Sequence, residues 1–272
     1  MVSMIVVKLG GSLGLDRLGA VLDDIADLWR SGTRLVLVHG GGRMVTSYAE
    51  KLGVKQRFYK NPSGFTTRLT DEDTIRIFEM VVAGLYNKEL VAGLLRRGAR
   101  AIGLSGVDGG LVRGVRKRRI LVVDERGRKR FIYGDRSGRP REVNTVLLTR
   151  LIENGYLPVI APVGVDEDWN VINMDGDRVA ALIASSLRAE QLLLLTDVTH
   201  LLLDGKPVSR LSLGEAETVI EMVEGGMKRK LLACIEALKG GVREAVIASG
   251  ARVRPVSLAV SHVDCTVITG HD

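Results

Sequence analysis

The chain has 272 residues, 46% of them hydrophobic and 26% charged, which suffices for one large α/β core and argues against a disordered chain. Its formal charge of +7 is unevenly distributed. The two cysteines, Cys234 and Cys265, lie in apolar stretches, so we expect buried free thiols in a reducing, cytoplasmic compartment and exclude a disulfide framework. The apolar runs are too short for a signal peptide or a membrane span, so neither export nor membrane insertion is expected.

Short apolar runs alternate with longer helical patterns along the chain. The runs cover 5–9, 34–38, 101–104, 158–161, 192–195 and 244–248. The helical patterns cover 18–30, 44–51, 71–97, 143–154, 177–187, 213–222 and 227–239. This alternation predicts a three-layer α/β/α sandwich with a mostly parallel central sheet, built as a single domain over residues 1–272.

The pattern changes between residues 111 and 133, where alternating strands flank a turn at 124–127. This predicts a β-hairpin that projects from the sheet. Between Arg113 and Arg141, twelve Lys or Arg residues stand against three acidic residues, a local charge of +9 that leaves the rest of the chain at −2. Such a surface attracts an acidic partner, although a solvated, arginine-rich hairpin without a partner would have the same composition.

Three short segments combine glycine with lysine or with exposed backbone. They are 8–11 (Lys-Leu-Gly-Gly), 39–42 (His-Gly-Gly-Gly) and 225–230 (Gly-Gly-Met-Lys-Arg-Lys). Successive N–H groups of glycine can cradle phosphate or carboxylate oxygens, and lysine adds positive charge. Neither a P-loop nor a dinucleotide fingerprint is present. Because ligands of open α/β sheets bind beyond the carboxyl ends of the strands, the three segments together predict a site for phosphoryl transfer.

A longer series of motifs resembles the amino acid kinase family, whose members phosphorylate a carboxylate, carbamate, hydroxyl or phosphate acceptor with ATP. In chain order, the residues that carry the resemblance are Val7-Lys8-Leu9-Gly10-Gly11, Val38-His39-Gly40-Gly41-Gly42, Arg68-Leu69-Thr70, Asn87-Lys88, Gly103-Leu104-Ser105-Gly106-Val107-Asp108-Gly109, Asn173-Met174-Asp175, Leu195-Thr196-Asp197-Val198 and Gly226-Met227-Lys228-Arg229-Lys230. The likeness covers nearly the whole chain. It implies the amino acid kinase fold, with an acceptor-binding lobe at about 1–172 and an ATP-binding lobe at about 173–272.

Within that family the chain looks most similar to the acetylglutamate kinase branch, and there to the kinases of lysine and arginine biosynthesis whose substrate is carried on a small protein. The matching motifs are Arg68-Leu69-Thr70-Asp71, Phe78-Glu79-Met80-Val81, Tyr133-Gly134-Asp135, Glu142-Val143-Asn144 and Met227-Lys228-Arg229-Lys230. The resemblance implies an acceptor, 2-aminoadipate or glutamate, joined to an acidic amino-group carrier protein. Docking of that carrier is expected at Arg116, Lys117, Arg118 and Arg119.

The resemblance also implies roles for individual residues. Lys8 and Lys230 would stabilise the transferred phosphoryl group, with Lys228 as a second candidate, because charge neutralisation is the main task in phosphoryl transfer. Asp175 would bridge and orient the lysines. Its alternative role is N-cap of the helix at 177–187, a role that Asp177 fits equally.

The other implied positions serve the acceptor and the nucleotide. They are Gly10 and Gly11 for phosphate, Gly41, Gly42, Arg68 and Asn173 for the acceptor, and Thr196, Asp197 and Lys206 for ATP. Mg²⁺ would arrive with ATP, and no protein metal site is expected. His39 is expected to be structural, since a carboxylate nucleophile is already ionised near pH 7.

Two other functions remain open from the sequence. One is acetylglutamate kinase activity on the free small molecule. The other is nucleic-acid binding by the basic segment 113–141, although this segment carries only two aromatic residues, Phe131 and Tyr133, and no recognised binding motif. Family likeness further predicts a homodimer, and neither a nucleic-acid nor a membrane partner is expected for the kinase.

Overall fold

A computed structural model describes residues 4–11, 18–62, 66–123 and 128–270. Its strands are β1 (Met4–Leu9), β2 (Arg34–His39), β3 (Phe58–Lys60), β4 (Thr66–Arg68), β5 (Ala101–Ser105), β6 (Val112–Arg116), β7 (Arg119–Val123), β8 (Lys129–Tyr133), β9 (Ser137–Val143), β10 (Leu157–Ala161), β11 (Val163–Val165), β12 (Val171–Met174), β13 (Gln191–Thr196), β14 (Leu201–Leu203), β15 (Lys206–Val208), β16 (Arg210–Ser212), β17 (Glu244–Ser249) and β18 (Cys265–Thr269). Its α-helices are α1 (Leu18–Arg30), α2 (Gly42–Lys51), α3 (Glu72–Phe78), α4 (Asn87–Arg96), α5 (Thr145–Glu153), α6 (Gly176–Ser186), α7 (Leu213–Val219), α8 (Gly225–Lys239) and α9 (Pro255–Val260).

The main sheet has the strand order β16-β18-β17-β13-β1-β2-β10-β5. Its pairs are parallel except for β17 and β18, which run antiparallel. The predicted mostly parallel sheet is therefore confirmed. The central strands β1 and β13 are mostly apolar because both of their faces are buried, with Lys8 near the carboxyl end of β1 as the charged exception.

Alternating residues of the central strands divide the core into two layers. On one side, Val6, Val36 and Leu194 join the cluster packed under α6 and α8. On the other side, Val7 and Leu195 join the cluster packed under α1, α4 and α9. Because side chains of a strand point to opposite faces in turn, each strand contributes to both layers. This arrangement confirms the predicted three-layer sandwich.

The long helical pattern predicted at 71–97 is one continuous helical segment with a change of pitch inside it. Asp71 caps its beginning by accepting the Thr74 N–H. Between α3 and α4, Glu79–Tyr86 is a π-helix, and the junction residues keep right-handed helical angles. A π-helical stretch inside an α-helix often occurs at functional sites. Here Val82 of this stretch packs against Gly41.

The predicted hairpin at 111–133 is only partly correct. Strands β7 and β8 pair as an antiparallel hairpin from Arg119 to Tyr133, whereas the turn at 124–127 lies outside the described residues. The stretch before it, β6, pairs instead with β9. The physical reason is burial: Leu111 and Val112 lie in the main core, so this strand cannot project into solvent with the hairpin.

Two short elements near the carboxyl terminus were missed by the sequence reading. Helix α9 has six residues, too few to show a helical period, and its first residue is a proline. Strand β18 pairs antiparallel with β17 and lies between it and the edge strand β16. Across the described residues, no helix has both the length and the apolar character needed to cross a membrane.

Candidate active site

A cavity of about 660 Å³ opens where the parallel strands of the main sheet end. Residues that the sequence singled out and that line it are Lys8, Gly11, Gly41, Gly42, Arg68, Lys117, Asn173, Asp175 and Lys230. The parallel order explains the gathering, because strands that run in one direction deliver their carboxyl ends to one edge of the sheet.

Two lysines converge on one carboxylate at the wall of this cavity. Lys8 Nζ, at the end of β1, lies 2.6 Å from Asp177 Oδ1. Lys230 Nζ, on α8, lies 3.1 Å from Asp177 Oδ2. All three side chains are largely buried, so the contacts are poorly screened by water. The structure thus brings Lys8 and Lys230 together on one carboxylate.

The bridging residue is Asp177, so the prediction that Asp175 bridges the lysines is wrong. Asp175 is the N-cap of α6, and its side chain accepts the backbone N–H groups of Asp177 and Arg178. Both capping bonds use Oδ1 of Asp175, while the carboxylate of Asp177, in the first turn of α6, contacts the lysines. Asp175 still lines the cavity close to Lys230.

The lysines determine the ionisation of the bridge. Burial alone would raise the pKa of Asp177, but the charges of Lys8 and Lys230 and their hydrogen bonds outweigh it and lower the pKa to about 2. Burial and the positive charge of Lys8 lower the pKa of Lys230, against the opposing pull of Asp177. Asp177 is therefore ionised at neutral pH, and its carboxylate is shared by the two lysine side chains.

Helices α6 and α8 are held together next to this trio. Arg178, the neighbour of Asp177, donates from Nε to Glu236 Oε2 at 2.9 Å and from a terminal nitrogen to Oε1 at 2.5 Å. Arg139 of β9 donates to the same Glu236 Oε1 at 3.2 Å. Glu236 lies on α8 with Lys230, so these bonds fix the helix that presents the lysine.

The second candidate lysine points elsewhere. Lys228 Nζ lies 2.7 Å from Glu221 Oε2 and is absent from the cavity lining. Residues two apart on an α-helix do not share a face, which explains why Lys230 and not Lys228 meets Asp177.

The glycine segments after β1 and β2 pack directly against one another. A Cβ on Gly11 would lie 3.3 Å from Gly41 N, and one on Gly41 would lie 2.9 Å from a Val82 methyl group. Gly42 begins α2, whose first N–H groups have no partner within the helix and favour an anion. The N–H of Gly10 differs, because it donates to Leu195 O at 2.9 Å and so is already used within the sheet.

Arg68 lies at the cavity wall between two aromatic rings. Its guanidinium is 4.7 Å from the Phe58 ring centroid and 5.8 Å from that of Phe78. It donates to Gly42 O at 2.8 Å, to Thr46 Oγ1 at 2.9 Å and also to Gln56 Oε1. Burial lowers its pKa. The sequence did not point to Phe58 or Gln56, since neither belongs to a motif.

Asn173 is on β12 and faces the same cavity. Its Nδ2 donates to Thr70 Oγ1 at 3.3 Å. Thr70 is buried, and its backbone N–H donates to Asp135 Oδ1 at 2.9 Å. The amide of Asn173 is thereby held against the segment that carries Arg68.

The predicted nucleotide residues divide into two groups. Thr196 ends β13 at the same sheet edge as Lys8, and its hydroxyl donates to Asp197 Oδ1 at 2.9 Å. This hydrogen bond lowers the pKa of Asp197. Lys206 lies on the exposed β14–β15 hairpin, opposite Leu203, and does not line the cavity.

The four predicted docking residues lie in and beside the β6–β7 connection. Lys117 lines the main cavity, and Arg116 Nε donates to Asp135 O at 2.8 Å. Arg118 is 79% exposed, with Glu167 at 3.6 Å, and Arg119 stacks over Phe131 at 4.4 Å. A second cavity of about 260 Å³, lined in part by Lys117 and Arg119, adjoins the first.

The sequence of this chain matches known proteins over nearly its full length. The profile of the Amino acid kinase family matches residues 3–249. A protein of Cenarchaeum symbiosum (strain A) is 46% identical over 265 residues, which cover 97% of this chain and 99% of the relative. The [LysW]-aminoadipate/[LysW]-glutamate kinase of Saccharolobus solfataricus is 38% identical over 254 residues, 93% of this chain and 95% of the relative. The Saccharolobus islandicus (strain L.S.2.15 / Lassen #1) protein of that name is 37% identical and is covered completely.

Solved structures share the fold at lower identity. N-acetylglutamate synthase from Neisseria gonorrhoeae, in complex with coenzyme A and N-acetyl-glutamate, superposes with a TM-score of 0.81 at 24% identity. The match covers 99% of this chain, which spans 60% of the synthase chain. Carbamate kinase from Giardia lamblia bound to citric acid gives a TM-score of 0.68 at 17% identity, with 99% of both chains covered. With its profile spanning most of the sequence and relatives at 37% to 46% identity, the chain belongs to the amino acid kinase family.

Proposed function

We propose that this chain uses ATP to phosphorylate the side-chain carboxylate of 2-aminoadipate, and of glutamate, linked to an acidic amino-group carrier protein. The observation that carries the proposal is the convergence of Lys8 and Lys230 on Asp177 in a cavity that also exposes Gly41 and Arg68. The names of the relatives, which place LysW before both aminoadipate and glutamate, support a carrier-linked acceptor.

Transfer of a phosphoryl group to a carboxylate brings two anions together, so the site must neutralise charge and hold both reactants in line. Lys8 and Lys230 supply positive charge at the cavity wall, and Asp177 holds both ammonium groups in place. The backbone N–H groups of Gly41 and Gly42 donate hydrogen bonds to oxygens of the acceptor, and the N–H of Gly11 donates to oxygens of the phosphate. Arg68 pairs with the acceptor's α-carboxylate, and Asn173 with its amide linkage. No side chain needs to remove a proton from the nucleophile.

ATP is proposed to occupy the part of the sheet edge near Thr196 and Asp197, and Mg²⁺ to enter with it. Asp177 is committed to the two lysines, so it does not serve as a metal ligand. This fits an ion that is held mainly through the phosphates of the nucleotide, as Mg²⁺ prefers. Lys206 is proposed to bind the nucleotide on the basis of family likeness alone.

The carrier is proposed to dock on the basic surface that includes Arg116, Lys117, Arg118 and Arg119. Lys117 connects this surface to the reaction cavity, because it lines both cavities. An acidic protein would be attracted to this surface, and its attached amino acid could then reach Lys8 and Lys230.

Four broader features belong to the same proposal: the compartment, the oligomeric state, the pathway and the division into two sides. We propose a cytoplasmic homodimer in lysine and arginine biosynthesis, with the acceptor side at about 1–172 and the nucleotide side at about 173–272. The buried free thiols of Cys234 and Cys265 fit a reducing compartment. Exposed Met80 and Leu85 lie five residues apart on the π-helical segment, one hydrogen-bond repeat of that helix, and offer an apolar contact to a second copy.

The test is acyl-phosphate trapping by hydroxylamine in the presence of ATP and Mg²⁺. Three acceptors are compared: free N-acetylglutamate, carrier-linked glutamate and carrier-linked 2-aminoadipate. Hydroxamate from the carrier-linked acceptors is expected, whereas hydroxamate from free N-acetylglutamate alone would assign acetylglutamate kinase activity. Lys230→Met should lower hydroxamate formation about 100-fold or more. Lys228→Met, on the same helix, is the matched lysine control and should be affected much less.

A further inference from the structure

His39 lies directly beneath the glycine segment 40–42, in a position that the proposed chemistry does not use. It is the last residue of β2 and is fully buried, with its ring edge-on to Tyr86 at 5.2 Å between centroids. Nδ1 is 2.8 Å from Gly40 O, and Nε2 is 3.0 Å from Asn87 Nδ2. Both ring nitrogens are therefore occupied by protein groups, and the ring does not reach the cavity as a base.

The hydrogen bonds of Asn87 determine which ring nitrogen carries the proton. Lys88 Nζ can only donate, and it lies 3.1 Å from Asn87 Oδ1. Asn87 Nδ2 is thus the donor group, as its 2.9 Å contact with Val159 O also requires. A donor opposite Nε2 makes that nitrogen the acceptor, so the neutral ring of His39 carries its proton on Nδ1 and donates to Gly40 O. Burial lowers the pKa of His39 to about 4, which keeps the ring neutral.

The direction of the Gly40 carbonyl sets the direction of the next amide. The described peptide bonds are all trans, and in a trans peptide the C=O and the following N–H point in opposite directions. Gly40 O points inward to His39, so Gly41 N–H points outward, where Gly41 lines the cavity. Gly11 keeps this N–H uncovered, since a Cβ there would lie 3.3 Å from Gly41 N.

We propose that Lys88, Asn87 and His39 form a positioning relay that aims the Gly41 N–H at the anionic group of the acceptor. The inference rests on the proposed function in one respect, the binding of the acceptor by Gly41. His39 is a positioning residue in this relay: each donor fixes the next acceptor, and the last hydrogen bond prevents the Gly40–Gly41 peptide from turning its carbonyl toward the substrate.

Two substitutions at His39 separate this role from simple packing. The amide nitrogen of Asn falls near the place of Nδ1, and that of Gln falls near the place of Nε2. We expect His39→Asn to keep the KM for the acceptor within about threefold of wild type and His39→Gln to raise it about tenfold, the loss of one hydrogen bond. The KM for ATP should stay unchanged in both. Equal effects of the two variants on the acceptor, or a matching rise in the KM for ATP, would overturn the relay.

The control is His262→Asn. His262 lies beside Glu244, the first residue of β17, and so at the edge of the sheet opposite the cavity, where its Nε2 is 3.0 Å from the Glu244 carboxylate. It removes a histidine hydrogen bond of similar length without touching the glycine segments, so both KM values should be retained.

A measurement without turnover tests the relay separately. The chain has four histidines, so ¹⁵N-histidine labelling gives few imidazole signals, and the one lost in His39→Asn identifies His39. We expect the Nδ1-protonated tautomer at pH 7, and the Nε2-protonated tautomer or a charged ring would contradict the inference. If wild-type protein phosphorylates no carrier-linked acceptor, the proposed function fails while the tautomer result still decides the relay.

Discussion

Asp177 joins Lys8 and Lys230, which are far apart in the chain, and the charge of this single residue can be tested directly. In Asp177→Asn the two buried ammonium groups lose their shared carboxylate. We expect turnover to fall about 100-fold or more. The free energy of unfolding should fall by about 3–5 kcal/mol, as when one partner of a buried ion pair is removed. Hydroxamate trapping and urea unfolding measure the two effects.

Asp175→Asn is the matched comparison, two residues away. Asn caps a helix as well as Asp does, so this variant should lose about 1 kcal/mol or less of stability and much less activity than Asp177→Asn. A larger loss of activity in Asp175→Asn than in Asp177→Asn would restore the sequence-based prediction that Asp175 organises the lysines.

His39 predicts a pH dependence of stability. Its pKa is about 4 in the folded chain against an ordinary value of 6.5, so the unfolded chain binds more protons between these values. The contribution of His39 to the free energy of unfolding is therefore fully present above pH 6.5 and is lost as the pH falls toward 4. The whole contribution is about 3 kcal/mol. The measurement is the urea midpoint of wild type and His39→Asn from pH 4.5 to 7.5. The gap between the two curves should narrow toward acid pH, and a constant gap would show that His39 does not titrate in this range.

At the scale of elements, the β7–β8 hairpin and the connection before it separate docking from chemistry. Arg118→Glu with Arg119→Glu reverses two charges beside the second cavity. We expect the KM for the carrier-linked acceptor to rise about tenfold or more at low salt, with the KM for ATP retained, because long-range attraction to an acidic partner is lost. The difference should shrink as salt is added.

The control for this variant is Arg30→Glu with Arg243→Glu. Both side chains are exposed, and they lie at the opposite edge of the sheet, one ending α1 and the other preceding β17. The total charge change is the same, so an equal rise in KM would reduce the hairpin effect to net charge. Salt-sensitive binding of RNA or DNA tighter than binding of the carrier would instead support the nucleic-acid alternative.

The packing of α6 against α8 shows how elements decide the site. Asp177 of α6 and Lys230 of α8 face each other where the two helices are linked. The Glu236 carboxylate of α8 accepts hydrogen bonds from Arg178 of α6 and from Arg139 of β9. Each of these contacts is long-range in sequence. The helix periods alone predicted α6 and α8 but not which of their faces would meet.

At the scale of the whole molecule, the proposed homodimer is tested by light scattering. The expected mass is about twice the 29.5 kDa of one chain. Met80→Glu with Leu85→Glu should shift the protein toward monomer, since a charged residue in an apolar interface is costly to bury. A wild-type monomer, or a dimer unaffected by these changes, would contradict this use of the π-helical segment.

The strands and most helices were predictable because their signal is local. Six apolar runs became β1, β2, β5, β10, β13 and β17 of the main sheet, with bounds within a residue or two. The glycine segments after β1 and β2 were predictable as one site, since parallel strands end at the same edge. The pairing of β6 with β9 was not, because alternation in a strand does not specify its partner.

Local patterns along the chain are enough to establish the layered fold and the sheet edge that carries the site, because each depends on periodicity or on position at a strand end. The choice of Lys8 and Lys230 came from the family resemblance, which left Lys228 open as an alternative. Tertiary structure alone decided that Asp177 and not Asp175 bridges them, that Gln56 and Phe58 hold Arg68, and that His39 faces Gly40. Asp175 and Asp177 are two residues apart, and the sequence alone does not distinguish their roles. In the folded chain Asp175 caps α6, whereas the packing of α8 brings Lys230 to Asp177.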